Sequence, residues 1–375
     1  MVESRQMVSK SLLSLLMLVC LLCLPELARA DIPKPEDALQ KLIQSTETVN
    51  FVGKRVIMSY TPNGAMVREE LVTRKAPNKK RIEVLSPPAM SGVVILFSGK
   101  EPGRGIMLNR KDGPPMQDRK KMRKRPPFPP PPINEIDEFP EKNTQVLLRN
   151  YNILVLYGGH VARHNTYLLE IEPKLFGKPS RKVWIDTITS VPLKMEHYDS
   201  QRRLRWVFAY NEINFRPKID DVVFQQQLPP PPERRREKRE HDELWSYGKG
   251  KLDINKIRTT AQMKIMAPEQ LPDGFDLQNV RLIRFDGRRS VHLTYSDGLT
   301  ILSAFQSQSS DEKHKDEPPW EHDNVGNITV KGVGIEVILG GTMIIFRWNF
   351  ENVETTLIGE LSLSEMVKIA GSFIK

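Results

Sequence analysis

The chain has 375 residues, a formal net charge of +10 and two cysteines, Cys20 and Cys23, both within its first 30 residues. Beyond those 30 residues neither a disulfide framework nor thiolate catalysis can be built. The length suits two ordinary domains, and the cationic excess points to acidic partners or anionic surfaces.

The N-terminus reads as a secretory signal. Arg5 and Lys10 form a positive region, Ser11 to Leu24 is a short apolar run, and Ala28-Arg29-Ala30 offers small residues before a cut at Asp31. The run is too short for a membrane span. Residues 1–30 are therefore expected to be a cleaved signal peptide, with the product exported.

A helix should follow. Pro35 and Glu36 sit in its first turn, and Ala38, Leu39, Leu42 and Ile43 share one face. Phe51 to Tyr60, Met66 to Lys75, Lys80 to Leu85 and Val93 to Phe97 read as strands, the last apolar throughout. A basic run, Asp118 to Arg125, then meets the proline run Pro126 to Pro132. Polyproline joins neither a helix nor a sheet interior, so about 111–134 reads as an exposed insertion. Leu147 to Leu156 fits helix or strand, and Tyr167 to Pro173 alternates as a strand.

The tract from Lys182 to Phe224 carries the clearest pattern. Val183-Trp184-Ile185 is a strand closed by Asp186. Leu193, Met195 and His197 alternate with Lys194, Glu196 and Tyr198. Leu204, Trp206, Phe208 and Tyr210 alternate with Arg205, Val207 and Ala209. Period-2 alternation over this length makes a sheet with a large aromatic face, which must cover a core, a helix or an apolar ligand. Trp184, Leu193, Met195, Leu204, Trp206, Phe208 and Tyr210 are the candidate ligand-binding residues.

A second proline run, Pro229 to Pro232, and the basic run Glu233 to Arg239 mark 226–254 as a linker. In an exported chain, the two basic runs suit anionic lipid headgroups or an acidic protein rather than nucleic acid; both also read as solvated loops. From 255 to 375 the strands are Val280 to Phe285, Ser290 to Tyr295, Leu299 to Phe305, Ile328 to Val337, Thr342 to Asn349 and Val353 to Leu357. Asp273-Gly274, Asp286-Gly287 and Asp297-Gly298 mark turns. A last helix starts on the capping box Ser362/Glu365 and puts Met366, Ile369, Ala370 and Phe373 on one face. The expected class is α+β, mostly β.

No catalytic constellation stands out. His160 and His164 are four apart, but Tyr157-Gly158-Gly159 before them argues for a turn rather than a metal-binding helix. His314 and His322 sit in an acidic loop that reads as solvated. No GxSxG elbow, phosphate loop or GxGxxG follows a strand. No enzyme activity, cofactor or metal is expected.

The tract Val183-Trp184-Ile185-Asp186, Val191-Pro192-Leu193-Lys194 and Phe208-Ala209-Tyr210-Asn211-Glu212-Ile213 resembles the C-terminal part of a LolA/LolB-like half-barrel. Gly159 to Ala162 and Leu169 to Lys174 resemble the preceding strand pair of the RseB/MucB family. Leu271 to Phe275, Tyr295 to Leu299 and Leu357 to Leu361 resemble the smaller domain of that family. The resemblance implies a half-barrel over 31–225 and an RseB-type C-terminal domain over 255–375. It further implies a periplasmic regulator of envelope stress signalling, which binds a membrane-bound anti-sigma factor and senses lipid or lipoprotein acyl chains. A lipoprotein or lipid carrier of the LolA type is the alternative, and an envelope scaffold whose aromatic face is only core is a third reading. The insertion at 111–134 and the basic linker depart from the family pattern.

Overall fold

The computed structural model describes residues 32–61, 64–98, 106–108, 144–225, 254–261, 263–268, 271, 273–285, 288–309, 325–340 and 343–374. The insertion, the linker, the signal segment, the Asp286-Gly287 turn and the loop holding His314 and His322 lie outside these residues.

Helix α1 is Pro35–Thr48. Proline suits the first turn, where its missing N–H costs nothing, and Glu36 and Asp37 complement the positive helix end. Strands β1 (Phe51–Thr61), β2 (Gly64–Lys75), β3 (Lys79–Ser86), β4 (Val94–Ser98) and β5 (Ile106–Leu108) form an antiparallel run. Val94, Ile95 and Leu96 in β4 are all buried, as a continuously apolar strand should be.

The segment that fits both helix and strand turns out to be both. Helix α2 (Thr144–Asn150) runs directly into β6 (Tyr151–Val161). Strands β7 (His164–Pro173), β8 (Ser180–Asp186), β9 (Pro192–Tyr198) and β10 (Leu204–Asn214) complete a ten-stranded sheet, with β10 pairing back onto β1. Its order is β5-β4-β3-β2-β1-β10-β9-β8-β7-β6. The sheet curves around α1: Ala38, Leu39 and Leu42 share one core with Ile57, Val72, Ile82, Leu169, Val183 and Phe208, drawn from strands right across it. This is an open, antiparallel half-barrel.

Helix α3 (Ile254–Ala261), which the sequence pattern does not announce, precedes a seven-stranded antiparallel sheet of order β11-β12-β13-β17-β16-β15-β14. Its strands are β11 (Asp276–Phe285), β12 (Arg288–Ser296), β13 (Ile301–Gln308), β14 (Val325–Val330), β15 (Val333–Gly340), β16 (Met343–Phe350) and β17 (Val353–Gly359). Two expectations are corrected. Leu299 belongs to a turn and not to β13. The run Ile328 to Val337 is a hairpin rather than one strand, because Lys331 and Gly332 take φ of 49° and 81° and reverse the chain.

Helix α4 (Leu363–Phe373) begins as expected: Ser362 Oγ accepts the backbone N–H of Glu365. Met366, Ile369, Ala370 and Phe373 are its buried face.

Candidate functional site

Strands β9 and β10 deliver their apolar residues to the concave face. Leu193, Met195, Trp206, Phe208 and Tyr210 are buried in the core around α1. Phe208 and Tyr210 meet edge-on with centroids 6.0 Å apart, and Phe51 meets Tyr210 in the same way at 5.8 Å. The structure brings these five candidates together as packed core beneath α1.

Trp184 is not among them. Val183 and Ile185 point inward, so the alternation of β8 puts Trp184 on the convex face. There Lys194 Nζ sits 4.1 Å from its ring centroid. Leu204 is half-buried where β10 starts.

Sequence reasoning missed the charge inside the half-barrel. Glu70 and Arg55 are fully buried, and Arg68 nearly so. Arg55 Nε donates to Glu70 Oε2 at 2.9 Å, and Arg68 Nε lies 2.6 Å from Glu70 Oε1. One carboxylate thus serves two guanidiniums, and burial lowers the pKa of Arg68, with the Glu70 carboxylate opposing that shift. Arg55 also lies 5.4 Å from the Phe208 ring centroid. The signal was present, since Arg55, Arg68 and Glu70 fall on the inward parity of β1 and β2.

A groove of about 510 Å³ opens where the tip of the β6–β7 hairpin faces β1 and β10. Val52, Leu71, Ala162 and Ile213 supply its apolar wall, and Lys54, Arg163, His164 and Glu212 its polar rim. Gly53 permits the close approach here: a Cβ on it would sit 2.8 Å from the Tyr210 ring. His164 Nδ1 is 3.2 Å from Asp186 Oδ2, and its ring meets Phe215 edge-on. His160 is exposed on the opposite strand, and no group of metal-ligating side chains forms among the described residues.

The half-barrel and the C-terminal sheet meet through buried polar contacts. The turn Asp297-Gly298-Leu299-Thr300 between β12 and β13 enters the half-barrel, where Leu299 joins the core around α1. Asp297 Oδ1 accepts the backbone N–H of Thr300 at 2.8 Å and holds the turn. Its Oδ2 lies 3.0 Å from Lys178 Nζ and accepts the Tyr151 hydroxyl at 3.0 Å. Burial, aided by the Asp297 carboxylate, pushes the Tyr151 phenol well above its ordinary pKa, so it stays a donor. Asn150 Nδ2 donates to the carbonyls of Gly274 and Asp297, and Lys178 Nζ to that of Asp273. A second contact joins His197 Nε2 to Glu360 Oε1 at 2.7 Å.

A curved antiparallel sheet wrapped on a helix and joined to a smaller antiparallel sheet gives the chain a two-part, mostly β architecture. Part of the half-barrel is similar to the MucB/RseB family. Residues 132–228 match the sequence profile of the MucB/RseB N-terminal domain, and residues 265–372 match a domain of unknown function. The structure is similar to that of MucB in complex with MucA(peri), at a TM-score of 0.55 and 14% identity, covering 90% of this chain and 98% of that one. The Pseudomonas aeruginosa MucA/MucB complex gives a TM-score of 0.55 at 15% identity, covering 90% and 97%. A structure of MucB alone gives 0.42 at 17% identity, covering 92% and 98%. No curated protein matches by sequence.

Proposed function

We propose that this protein is a periplasmic regulator of envelope stress signalling. It binds the periplasmic part of a membrane-bound anti-sigma factor and responds to a lipid or lipoprotein in its half-barrel. The observation that carries the first part is the likeness to MucB bound to MucA(peri), which extends over 90% of the chain and takes in both sheets. A carrier would need only the half-barrel, whereas here the C-terminal sheet buries an ion pair and a leucine in it. The MucB structures it resembles are of a protein bound to another protein, which fits a role in binding.

The lipid reading takes its support from the groove rather than from the aromatic face. Trp206, Phe208 and Tyr210 are buried in the core, but the groove at Gly53 is open and within the size of ordinary ligand pockets. Acyl chains would meet Val52, Leu71 and Ile213, and Arg163 on the rim would meet an acidic headgroup. The basic runs 118–125 and 233–239 would add contact with an anionic membrane surface.

Pull-down from envelope extracts with the tagged chain, residues 31–375, tests this directly. The expected catch is a single-span membrane protein with a sigma-binding domain on its cytoplasmic side. Recovery of lipoproteins alone would favour the carrier, and acyl chains in an organic extract of the purified protein would support the ligand.

A further inference from the structure

Four side chains make a continuous crossing from the concave face of the half-barrel to the C-terminal sheet. Trp206 stands on β10 in the aromatic row with Phe208 and Tyr210. The His197 ring stacks on it, centroids 5.1 Å apart and 15° from parallel. The Arg181 guanidinium also lies against the Trp206 ring, 5.9 Å from its centroid. Arg181 Nε donates to His197 Nδ1 at 3.3 Å. An arginine cannot accept, so Nδ1 holds the lone pair and Nε2 the proton. That proton is given to Glu360 Oε1 at 2.7 Å. His197 is 1% exposed, so the bond has little competition from water.

Glu360 occupies a strategic corner. It follows β17 directly and precedes Ser362, the cap of α4, by two residues. Ser362 itself donates its backbone N–H to the carbonyl of Gly177 in the half-barrel. At its other end β10 lines the groove through Glu212, Ile213 and Asn214. One strand therefore runs from the groove to the relay: Tyr210 meets Phe208 edge-on, and Trp206, two residues from Phe208 on the same inward face, lies under His197.

We propose that the Arg181–His197–Glu360 relay is a coupling device: repacking of the aromatic row on β10 is transmitted through Trp206 to the corner between β17 and α4. The same imidazole stacks on Trp206 and bridges Arg181 to Glu360, so a shift of the indole bears on both bonds. The relay gives the half-barrel a way to report occupancy to the C-terminal sheet. The proposal stands apart from the identity of the partner, which the pull-down tests.

Amide hydrogen exchange on the full chain decides it. Trp206→Phe replaces the indole with a smaller ring that reaches less of His197, and Glu360→Ala removes the far end. Each is expected to speed exchange over 360–366 by about fivefold or more. The double variant should exchange no faster than the faster single one, because both break the same link. Ile82→Ala, in the same core but on β3, away from the relay, should leave 360–366 as in the parent. His197→Gln, which keeps an amide donor for Glu360, should retain protection that His197→Ala loses; this pair applies should Trp206→Phe fold poorly. Unchanged exchange at 360–366 in Trp206→Phe, or factors that multiply in the double variant, would overturn the coupling.

Discussion

Lys178 and Asp297 form an ion pair of 3.0 Å between the half-barrel and the C-terminal sheet, with 5% and 0% of their side chains exposed. Neither charge can turn to water if the other is lost. The remaining acceptors of Asp297 are filled by Tyr151 and by its own turn, which makes the pair a fixed register mark between the two sheets.

Removing one partner should therefore cost far more than a surface pair would. Lys178→Ala leaves Asp297 buried with no cation, held only by the Tyr151 phenol and the amides of its own turn, and is expected to lose about 3–5 kcal/mol of stability. Urea unfolding of the variant measures this. Lys178→Met with Asp297→Asn should recover part of the loss, because the isolated charge is gone.

Gly298 and Gly332 make a controlled comparison. Both have positive φ, at 99° and 81°. A Cβ at Gly332 would meet nothing within 4 Å, whereas one at Gly298 would lie 2.8 Å from Leu147 Cα. Gly332→Ala should cost about 1 kcal/mol, the backbone strain alone. Gly298→Ala adds a clash with backbone that cannot rotate away, and should cost upwards of roughly 2 kcal/mol. Thermal denaturation of the two variants side by side gives the difference.

His292 supplies a pH dependence. Burial, with Arg281 nearby, depresses its pKa from 6.5 to about 4. The ring stacks on Phe305 at 4.1 Å, and Nε2 lies 3.1 Å from Ser303 Oγ. A base depressed in the folded state binds a proton more readily when unfolded. Stability from this group is thus complete above pH 6.5, falls between about 6.5 and 4, and is fully lost below. The loss should reach at most about 3 kcal/mol. His292→Gln should flatten that stretch of the stability–pH curve, measured by urea titration at each pH.

Much of the fold is legible in the sequence because period-2 alternation and turn residues are local. The strands β1 to β4 and β7 to β10 fall where alternation puts them, and the capping box at Ser362 marks α4 to the residue. Where the reading failed, the deciding information was not local. Trp184 has the composition of a core residue, but only its neighbours Val183 and Ile185 reveal that its own parity is outward. Leu299 continues an apolar run in sequence, and nothing in that run says its side chain enters another sheet's core. Lys331-Gly332 was readable as a turn, yet the apolar residues on both sides masked it. The joint was least legible, since Lys178, Tyr151 and Asp297 are separated by up to 146 residues and only the fold unites them.

Leu299 has a thermodynamic consequence. It is counted in the core of the half-barrel but is carried by the C-terminal sheet. Neither part can melt without exposing apolar surface that belongs to the other, so the described protein should behave as one cooperative unit. Calorimetry would then show a single endotherm, and a half-barrel expressed by itself would lack part of its own interior.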